Sequence, residues 1–327
     1  MKPSVVLYHP VAEAVKNRLK EKFQLHDFGP VNESNRDEFR KVAVAADALI
    51  GMGLPIPTQD LSGSKTLKAI ATISAGYDSF DVTELSSNGI VLMNLFDPLT
   101  ETTADLAFAL LMGTARRLGE LDRKMRAGEW ASGVGPAWFG LDIHGKTLGI
   151  VGMGRIGAAI ARRGALGCGM KILYTARTPK LEAEKSLGAT KTTLDELLQE
   201  SDFVCLAVPL SAETMKLIGA REFGLMKKTA IIVNIARGGV VDEAAMIAAL
   251  QSGAIYGAGL DVFEQEPLPM DSPLLKLDNV LLAPHIGSAT QQTRDAMSAY
   301  AAETLIDFMC EGKGRNFVNP EALSTVG

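Results

Sequence analysis

Cysteine is scarce in this 327-residue chain: there are three, Cys168, Cys205 and Cys310. An odd number at such wide spacings makes neither a disulfide framework nor a zinc site. The expectation is reduced thiols in a cytoplasmic protein, with no metal. An excess of positive charge is also missing. Lys plus Arg number 33 against 38 for Asp plus Glu, a formal net charge of −5. That balance argues against a general nucleic-acid binder, which wants a basic face. Long apolar runs are absent too. The N-terminus has only a short apolar run, Val5 to Tyr8, before polar residues return, too short for a signal peptide. The longest helical apolar stretch, Leu106 to Ala115, is about half the roughly 20 residues that a membrane span needs. Neither a membrane nor a nucleic acid is therefore expected as a partner. No internal repeat, low-complexity tract or charged tail is visible.

What remains is ordinary globular composition, with 47% apolar and 22% charged residues. At roughly 150 residues per domain the length suggests two domains. Short apolar runs alternate with helical periodicity, the signature of parallel α/β architecture. In the first hundred residues the strand candidates are Val5–Tyr8, Phe23–His26, Ala48–Met52, Leu67–Ile73 and Val91–Asn94, with a helix over Val11–Lys22. Glu101 to Ala127 reads as one long amphipathic helix. A glycine-rich loop, Gly128 to Gly145, follows and carries Trp130, Trp138 and Phe139. A second strand series then runs Thr147–Val151, Lys171–Tyr174, Phe203–Val208, Ala230–Ile235, Gly257–Asp261 and Val280–Ala283. Helices are expected over Arg155–Leu166, Asp242–Gln251 and Thr290–Cys310, the last ending near Gly312. The crossing between domains falls near Pro98–Glu101.

Two segments have phosphate-loop spacing. Gly140 to Thr147 matches G-x-x-x-x-G-K-T. That loop works only when a strand precedes it and a helix follows, so that amide groups cradle the anion. Here an aromatic loop precedes it and a strand follows, so the match is read as chance. The second segment is Gly152-Met153-Gly154-Arg155-Ile156-Gly157, directly after the strand Thr147–Val151 and opening a helix. This is G-x-G-x-x-G in its required setting. Gly152 allows the tight turn, Gly154 lets the backbone approach a pyrophosphate, and Gly157 lets helix and strand pack. The helix N-terminus offers free N–H groups and the positive end of its dipole.

The next strand bears on which dinucleotide binds. An NAD site places Asp or Glu at its end, for the ribose hydroxyls. Here the strand ends Tyr174-Thr175-Ala176-Arg177-Thr178, with no carboxylate. Arg177 can pair with a 2′-phosphate, and Thr175 and Thr178 can add hydroxyls. A solvated arginine is the plainer reading. The missing acid and the arriving base together predict NADPH, with NADH as a weaker alternative.

Ligands of open parallel sheets bind beyond the carboxyl ends of the strands. Three charged or titratable groups stand there. Arg237 follows Ala230–Ile235, Glu264 and Glu266 follow Gly257–Asp261, and His285 follows Val280–Ala283. A cation, a carboxylate and an imidazole suit the reduction of a ketoacid. The cation holds the substrate carboxylate, the imidazolium donates a proton to the carbonyl oxygen, and the acid orients the imidazole. Singly, each also reads as a surface charge or a packing residue, and placement does not choose between Glu264 and Glu266. The other histidines, His9, His26 and His144, have no comparable setting. In the first domain, Leu67–Ile73 runs into Ser74-Ala75-Gly76-Tyr77-Asp78. This small-residue turn reads equally as an ordinary connection or as a nest of N–H groups for a carboxylate.

At these residues the sequence resembles the D-2-hydroxyacid dehydrogenase family, over essentially its whole length. The matching pieces are Ser74–Asp78, Gly152–Gly157, Val233–Gly238, Gly259–Pro267 and Pro284–Ser288. Within the family the chain looks most like the glyoxylate/hydroxypyruvate reductases, also called 2-ketogluconate reductases. The resemblance implies two Rossmann-like, doubly wound parallel-sheet lobes with an active-site cleft between them. Residues 1–100 plus 289–327 would form the substrate-binding lobe and 101–288 the dinucleotide-binding lobe.

It also implies a catalytic set of Arg237, Glu266 and His285. Substrate contacts would come from Arg237, Ala75, Gly76, Ser288, Leu54 and Trp138. Asp261 would hold the nicotinamide carboxamide, with Thr103, Val208, Pro209, Ala236, Gly287 and His285 around the cofactor. Arg155 and Ile156 would join the glycine loop. Homodimers joined through the cofactor lobes are implied, with Trp138 over the partner's substrate or in dimer packing.

The family often carries an acid at the Thr175 position for NAD, and its absence here agrees with NADPH. The implied activity is NADPH-dependent reduction of glyoxylate, hydroxypyruvate and, as a further candidate, 2-ketogluconate to D-2-hydroxyacids. The alternatives are a reductase of a phosphorylated 2-keto sugar acid and a dinucleotide-sensing regulator of the same fold.

Overall fold

The computed structural model describes residues 2–52, 61 and 63–324. The chain divides into two compact units, Met1–Leu99 with Ala289–Gly327, and Thr100–Ser288. The first holds five strands: β1 (Ser4–Leu7), β2 (Gln24–Asp27), β3 (Ala48–Gly51), β4 (Ala69–Thr72) and β5 (Val91–Met93). They form a parallel sheet in the order β2-β1-β3-β4-β5. Every residue of β3 and β4 is buried. A central parallel strand covered on both faces needs such a continuous apolar run, which is why these strands are legible as runs and not as alternation.

The chain's last segment completes this unit. The helix Gln291–Glu311 buries Met297, Ala301, Ala302 and Leu305, and stops at Gly312 in the left-handed conformation. Arg18 grips Glu303 on it through two hydrogen bonds of 2.7 and 3.1 Å. Beyond it, the fully buried Asn319 accepts from Leu92 N at 2.7 Å and donates to Ile90 O at 2.9 Å. Its amide thus satisfies Leu92 N and Ile90 O on the edge of β5, beside the antiparallel bridge between Met93 and Phe317.

The second unit holds β6 (Thr147–Val151), β7 (Lys171–Thr175), β8 (Thr190–Lys191), β9 (Phe203–Leu206), β10 (Ile231–Asn234), β11 (Gly257–Leu260) and β12 (Val280–Leu282). Their order is β12-β11-β10-β9-β6-β7-β8, and every pairing is parallel. Alternate side chains feed two cores. Ile231 and Val233 pack with Leu111, Ile160 and Tyr174 on one face, and Ile232 packs with Leu197, Phe223 and Leu250 on the other. The winding reverses between β6 and β9, where diverging loops leave the crevice used for ligands in such sheets.

Two helix expectations are corrected. Glu101–Ala127 is not one helix but two, Thr100–Ala115 and Leu118–Arg126, with Arg117 left-handed between them at φ 55°. The break is made by tertiary contacts. Gly140 lies so close that a β-carbon would stand 2.4 Å from Ala115 O, and Leu141 N donates to that oxygen at 2.8 Å. Arg117 in turn donates to Ala137 O and Phe139 O and holds the Glu120 carboxylate with two bonds. The helix Arg155–Leu166 stops being α-helical at Arg162 and continues as one wide π turn over Arg163–Gly167. No described helix is long and apolar enough to cross a membrane.

Glu120 is only 7% exposed. The Arg117 hydrogen bonds, helped by Lys124 and opposed by burial, pull its carboxyl down to about 2 from 4.5. A depressed carboxyl stabilises the fold above its unfolded value, and that contribution is lost as pH falls toward the folded value. Between about pH 6 and pH 3 the loss from this group is on the order of 2 kcal/mol. Glu120→Gln removes it, so urea unfolding at the two pH values should show a smaller acid penalty in the variant. Equal penalties in the two proteins would refute the assignment.

Candidate active site

The carboxyl edge of the seven-stranded sheet brings the trio to neighbouring positions. Arg237 leaves β10, Glu266 leaves β11 and His285 leaves β12, three adjacent strands. His285 Nδ1 lies 2.7 Å from Glu266 Oε2. The other carboxylate oxygen, Oε1, accepts from Phe263 N at 3.1 Å. His285 Nε2 has no hydrogen-bond partner among the described residues, and the side chain is 47% exposed. Glu264 goes elsewhere: its amide donates to Glu243 at 3.1 Å and its carboxylate faces Lys216 at 3.9 Å. Geometry therefore pairs Glu266 with the imidazole, a choice that strand placement leaves open.

Backbone contacts lock these loops together. Asp261 is 1% exposed and receives Ile286 N on Oδ1 at 2.7 Å and Gly287 N on Oδ2 at 2.8 Å. Its carbonyl accepts from His285 N at 2.9 Å. Burial pushes the Asp261 carboxyl above its usual range, and the two amides pull the other way. His285 itself is left-handed at φ 53°, a conformation that costs a non-glycine residue roughly 1–2 kcal/mol. The three Asp261 contacts hold it there.

Arg237 sits in a turn tied by Asn234. The Asn234 amide accepts from Ala236 N and donates to Arg237 O, each at 3.0 Å. Arg237 Nη1 donates to Ala236 O at 2.8 Å. A β-carbon on Gly238 would stand 1.8 Å from the Phe263 carbonyl carbon, so this turn lies flat on the loop that carries Glu266. Sequence reasoning missed Asn234 and Gly238. Their signal was present in the polar residue at the strand end and the double glycine after the arginine.

The glycine loop fits a dinucleotide. Gly152 has φ 100°, and a β-carbon there would meet Ala207 O at 2.6 Å and Val208 at 2.7 Å. A β-carbon on Gly157 would stand 2.2 Å from Gly152 O. Beside Gly154, by contrast, space is open, with nothing within 4 Å. The helix Arg155–Arg162 has neither a side-chain cap nor an acid in its first turn. Its leading N–H groups and dipole are thus left for an anion. Arg155 is exposed and Ile156 half-buried at its start.

Along the same edge, Pro209 O accepts from Thr214 at 2.6 Å, and Gly287 lies against Thr103, 3.3 Å from a β-carbon position. Thr175, half-buried, gives its carbonyl to Gly152 N at 3.0 Å. Arg177 and Thr178 are exposed beyond it, and Arg177 has no ion-pair partner among the described residues. No cluster of His, Cys, Asp or Glu among the described residues is placed to share a metal ion.

In the five-stranded unit, the turn after β4 has its carbonyls occupied. Leu95 N donates to Ser74 O, Asn94 Nδ2 to Ala75 O and Ser74 Oγ to Gly76 O, at 2.9, 2.7 and 2.6 Å. The N–H groups of Ala75 and Gly76 have no acceptor among the described residues. Leu54 lies outside the described residues. Ser288, half-buried, ends the His285 loop. Trp138 belongs to a short 3-10 turn and lies under Lys124, 5.8 Å from Nζ to ring centre. The lysine-bearing segment Gly140–Thr147 runs straight into β6, with no helix opening from it.

The chain is similar to known proteins over essentially its whole length. The family described as D-isomer specific 2-hydroxyacid dehydrogenase, NAD binding domain, matches residues 108–287. A glyoxylate/hydroxypyruvate reductase B of Yersinia pestis (strain Pestoides F) is 48% identical over 325 residues, 99% of this chain and 100% of that one. The crystal structure of an NADPH-dependent glyoxylate/hydroxypyruvate reductase from Sinorhizobium meliloti, in complex with NADP and malonate, superposes with a TM-score of 0.83. It is 34% identical, and the match covers 98% of each chain. A glyoxylate reductase from Paecilomyes thermophila gives 0.88 at 32% identity, over 97% of this chain and 98% of that one. With likeness in sequence running end to end and the two sheets superposing on solved relatives, the chain belongs to the D-isomer specific 2-hydroxyacid dehydrogenase family.

Proposed function

We propose that the protein reduces short 2-ketoacids, glyoxylate and hydroxypyruvate foremost and 2-ketogluconate as a further candidate, to D-2-hydroxyacids with NADPH. The carrying observation is the 2.7 Å contact between His285 Nδ1 and Glu266, which leaves Nε2 open at the strand edge that also bears Arg237. The substrates follow the relatives' activities, and the cofactor follows the exposed Arg177 where an NAD site has its acid.

Arg237 takes the substrate carboxylate; the unpaired Ala75 and Gly76 N–H groups of the five-stranded unit are a second candidate for that role. Charge-assisted bonds to a carboxylate are about twice as strong as neutral ones and fix the ketone's orientation. Glu266 accepts the Nδ1 proton of His285, so the imidazolium carries its transferable proton on Nε2. As the carbonyl carbon gains hydrogen, its oxygen gains charge, and His285 Nε2 protonates that oxygen and is left neutral. In the opposite direction the neutral imidazole is the base. In the loop Gly152–Gly157, whose Gly152 N–H is spent on Thr175 O, the Gly154 turn and the first turn of the following helix would hold the pyrophosphate, Arg177 with Thr175 and Thr178 would hold the 2′-phosphate, and Asp261 would hold the carboxamide. When bound, the reduced dinucleotide supplies the hydride.

The exposed apolar residues Met112, Leu118, Met125, Trp130, Val134 and Phe139 lie on successive segments of the second unit. Exposed apolar surface favours burial against a partner, and we assign these residues, with the Trp138 loop, to contact with a second copy of the chain.

Mixing the protein with NADPH and hydroxypyruvate should give loss of the reduced cofactor's absorbance, and His285→Asn should lower kcat by roughly 10²–10⁴-fold. No turnover of any short 2-ketoacid with NADPH or NADH, or a full rate in the variant, would overturn the reading. Arg177→Asp should raise KM for NADPH by roughly ten- to a hundredfold, through loss of charged hydrogen bonds, and that for NADH far less. Equal weakening of both cofactors would remove Arg177 from the 2′-phosphate site. Sedimentation should return twice the 34.8 kDa chain mass, and a monomer at micromolar concentration would refute the dimer.

A further inference from the structure

Arg294 is the unusual cation of the five-stranded unit. It lies in the first turns of the helix Gln291–Glu311 and is half-buried. Thr290 caps that helix, accepting from Thr293 N at 3.2 Å. Among the described residues its guanidinium donates to one acceptor, the Met52 sulfur, at 3.1 Å from Nη1. A thioether is a weak acceptor, and an arginine has five N–H groups to satisfy. No carboxylate among the described residues offsets the burial, which holds the guanidinium below its usual range. His9 does not help. Burial first, and then the charge of Arg294, keep its imidazole below the usual value. A partly dehydrated cation without a counter-ion costs stability, and an acceptor oxygen on a ligand would offset that cost.

The place of Arg294 in the fold bears on which ligand. Met52 directly follows β3, whose last residue, Gly51, pairs with Thr72 at the end of β4. Two residues beyond Thr72 begins the turn whose Ala75 and Gly76 amides lack acceptors. Neighbouring strands lie roughly 4.8 Å apart, so the guanidinium stands one strand away from the candidate carboxylate nest, on the same sheet edge. Side chains in a helix lean toward its N-terminus, which directs Arg294 toward that edge.

We propose that Arg294 reads the far end of the ketoacid, donating to an oxygen carried on C3 or beyond, and so favours oxygen-bearing 2-ketoacids over pyruvate. The inference rests on the 2-ketoacid reading above and adds a specificity-determining residue to it. The chemistry sought is an acceptor oxygen, supplied either by a hydroxyl or by a second carboxylate. Pyruvate matches hydroxypyruvate except for that hydroxyl. A site built to bond a substrate hydroxyl discriminates strongly against the analogue lacking it.

The test compares kcat/KM for pyruvate, hydroxypyruvate and oxaloacetate, with NADPH, in the wild type, Arg294→Met and Arg294→Lys, with thermal melts of all three proteins. Lysine keeps the charge but loses the planar fork. In Arg294→Met the ratio of hydroxypyruvate to pyruvate, of oxaloacetate to pyruvate, or both, should fall by about tenfold or more. A fall in the first alone identifies a hydroxyl as the partner, and a fall in the second alone a carboxylate. If neither ratio falls threefold in a folded variant, the assignment is overturned. Failure of both variants to fold makes Arg294 a packing residue and overturns it as well. A wild-type protein that reduces none of the three ketoacids removes the reaction itself, whereas active protein with unchanged ratios removes only the role of Arg294.

Discussion

The site hangs on one buried carboxylate. Asp261 directly follows β11, and three hydrogen bonds join it to the backbone of His285, Ile286 and Gly287. Without them nothing described would hold His285 in a left-handed conformation that its β-carbon disfavours. Taking a carboxylate out of water is costly, and two short amide bonds are what make it tolerable here. The cost is spent on orientation: the imidazole is aimed at Glu266 before any ligand arrives, so little reorganisation is left for the reaction.

Close backbone approach does the rest of the positioning. Gly238 lies on the Phe263 carbonyl and Gly157 on Gly152 O, at separations that no side chain could share. These contacts pack neighbouring loops of the parallel sheet together, so the Arg237 turn rests directly on the Glu266 loop. The open side of Gly154 is the exception, and it faces the space where a helix N-terminus offers its amides. Packed glycines and an unpacked one thus mark different tasks within a single edge.

How much of this the sequence discloses follows from what sets each feature. Strand Thr147–Val151 is read residue for residue, because a strand buried on both faces is a bare apolar run between polar turns. The two-residue β8 is invisible, since Thr190 and Lys191 are exposed and carry no apolar pattern. The break at Arg117 is hidden for another reason. Helical periodicity continues across it, and the contacts that cause it come from residues 137 to 141, some twenty positions on. Arg237, Glu266 and His285 can be collected from sequence because parallel strands put all their exits on one edge. Choosing Glu266 over Glu264 cannot be done that way. It depends on the path of a loop pinned by Phe263 N on one side and Glu243 on the other. Arg294 is hidden because helix periodicity says nothing of a missing counter-ion.

The five-stranded unit is assembled from both ends of the polypeptide, with Asn319 closing onto β5 and Glu303 onto Arg18. During synthesis, residues 100–288 leave the ribosome complete while the N-terminal sheet still lacks its last helix and tail. The nucleotide-fold half is therefore able to close first. The half translated earliest must wait, its β5 edge unsatisfied, until the helix Gln291–Glu311 and Asn319 have emerged.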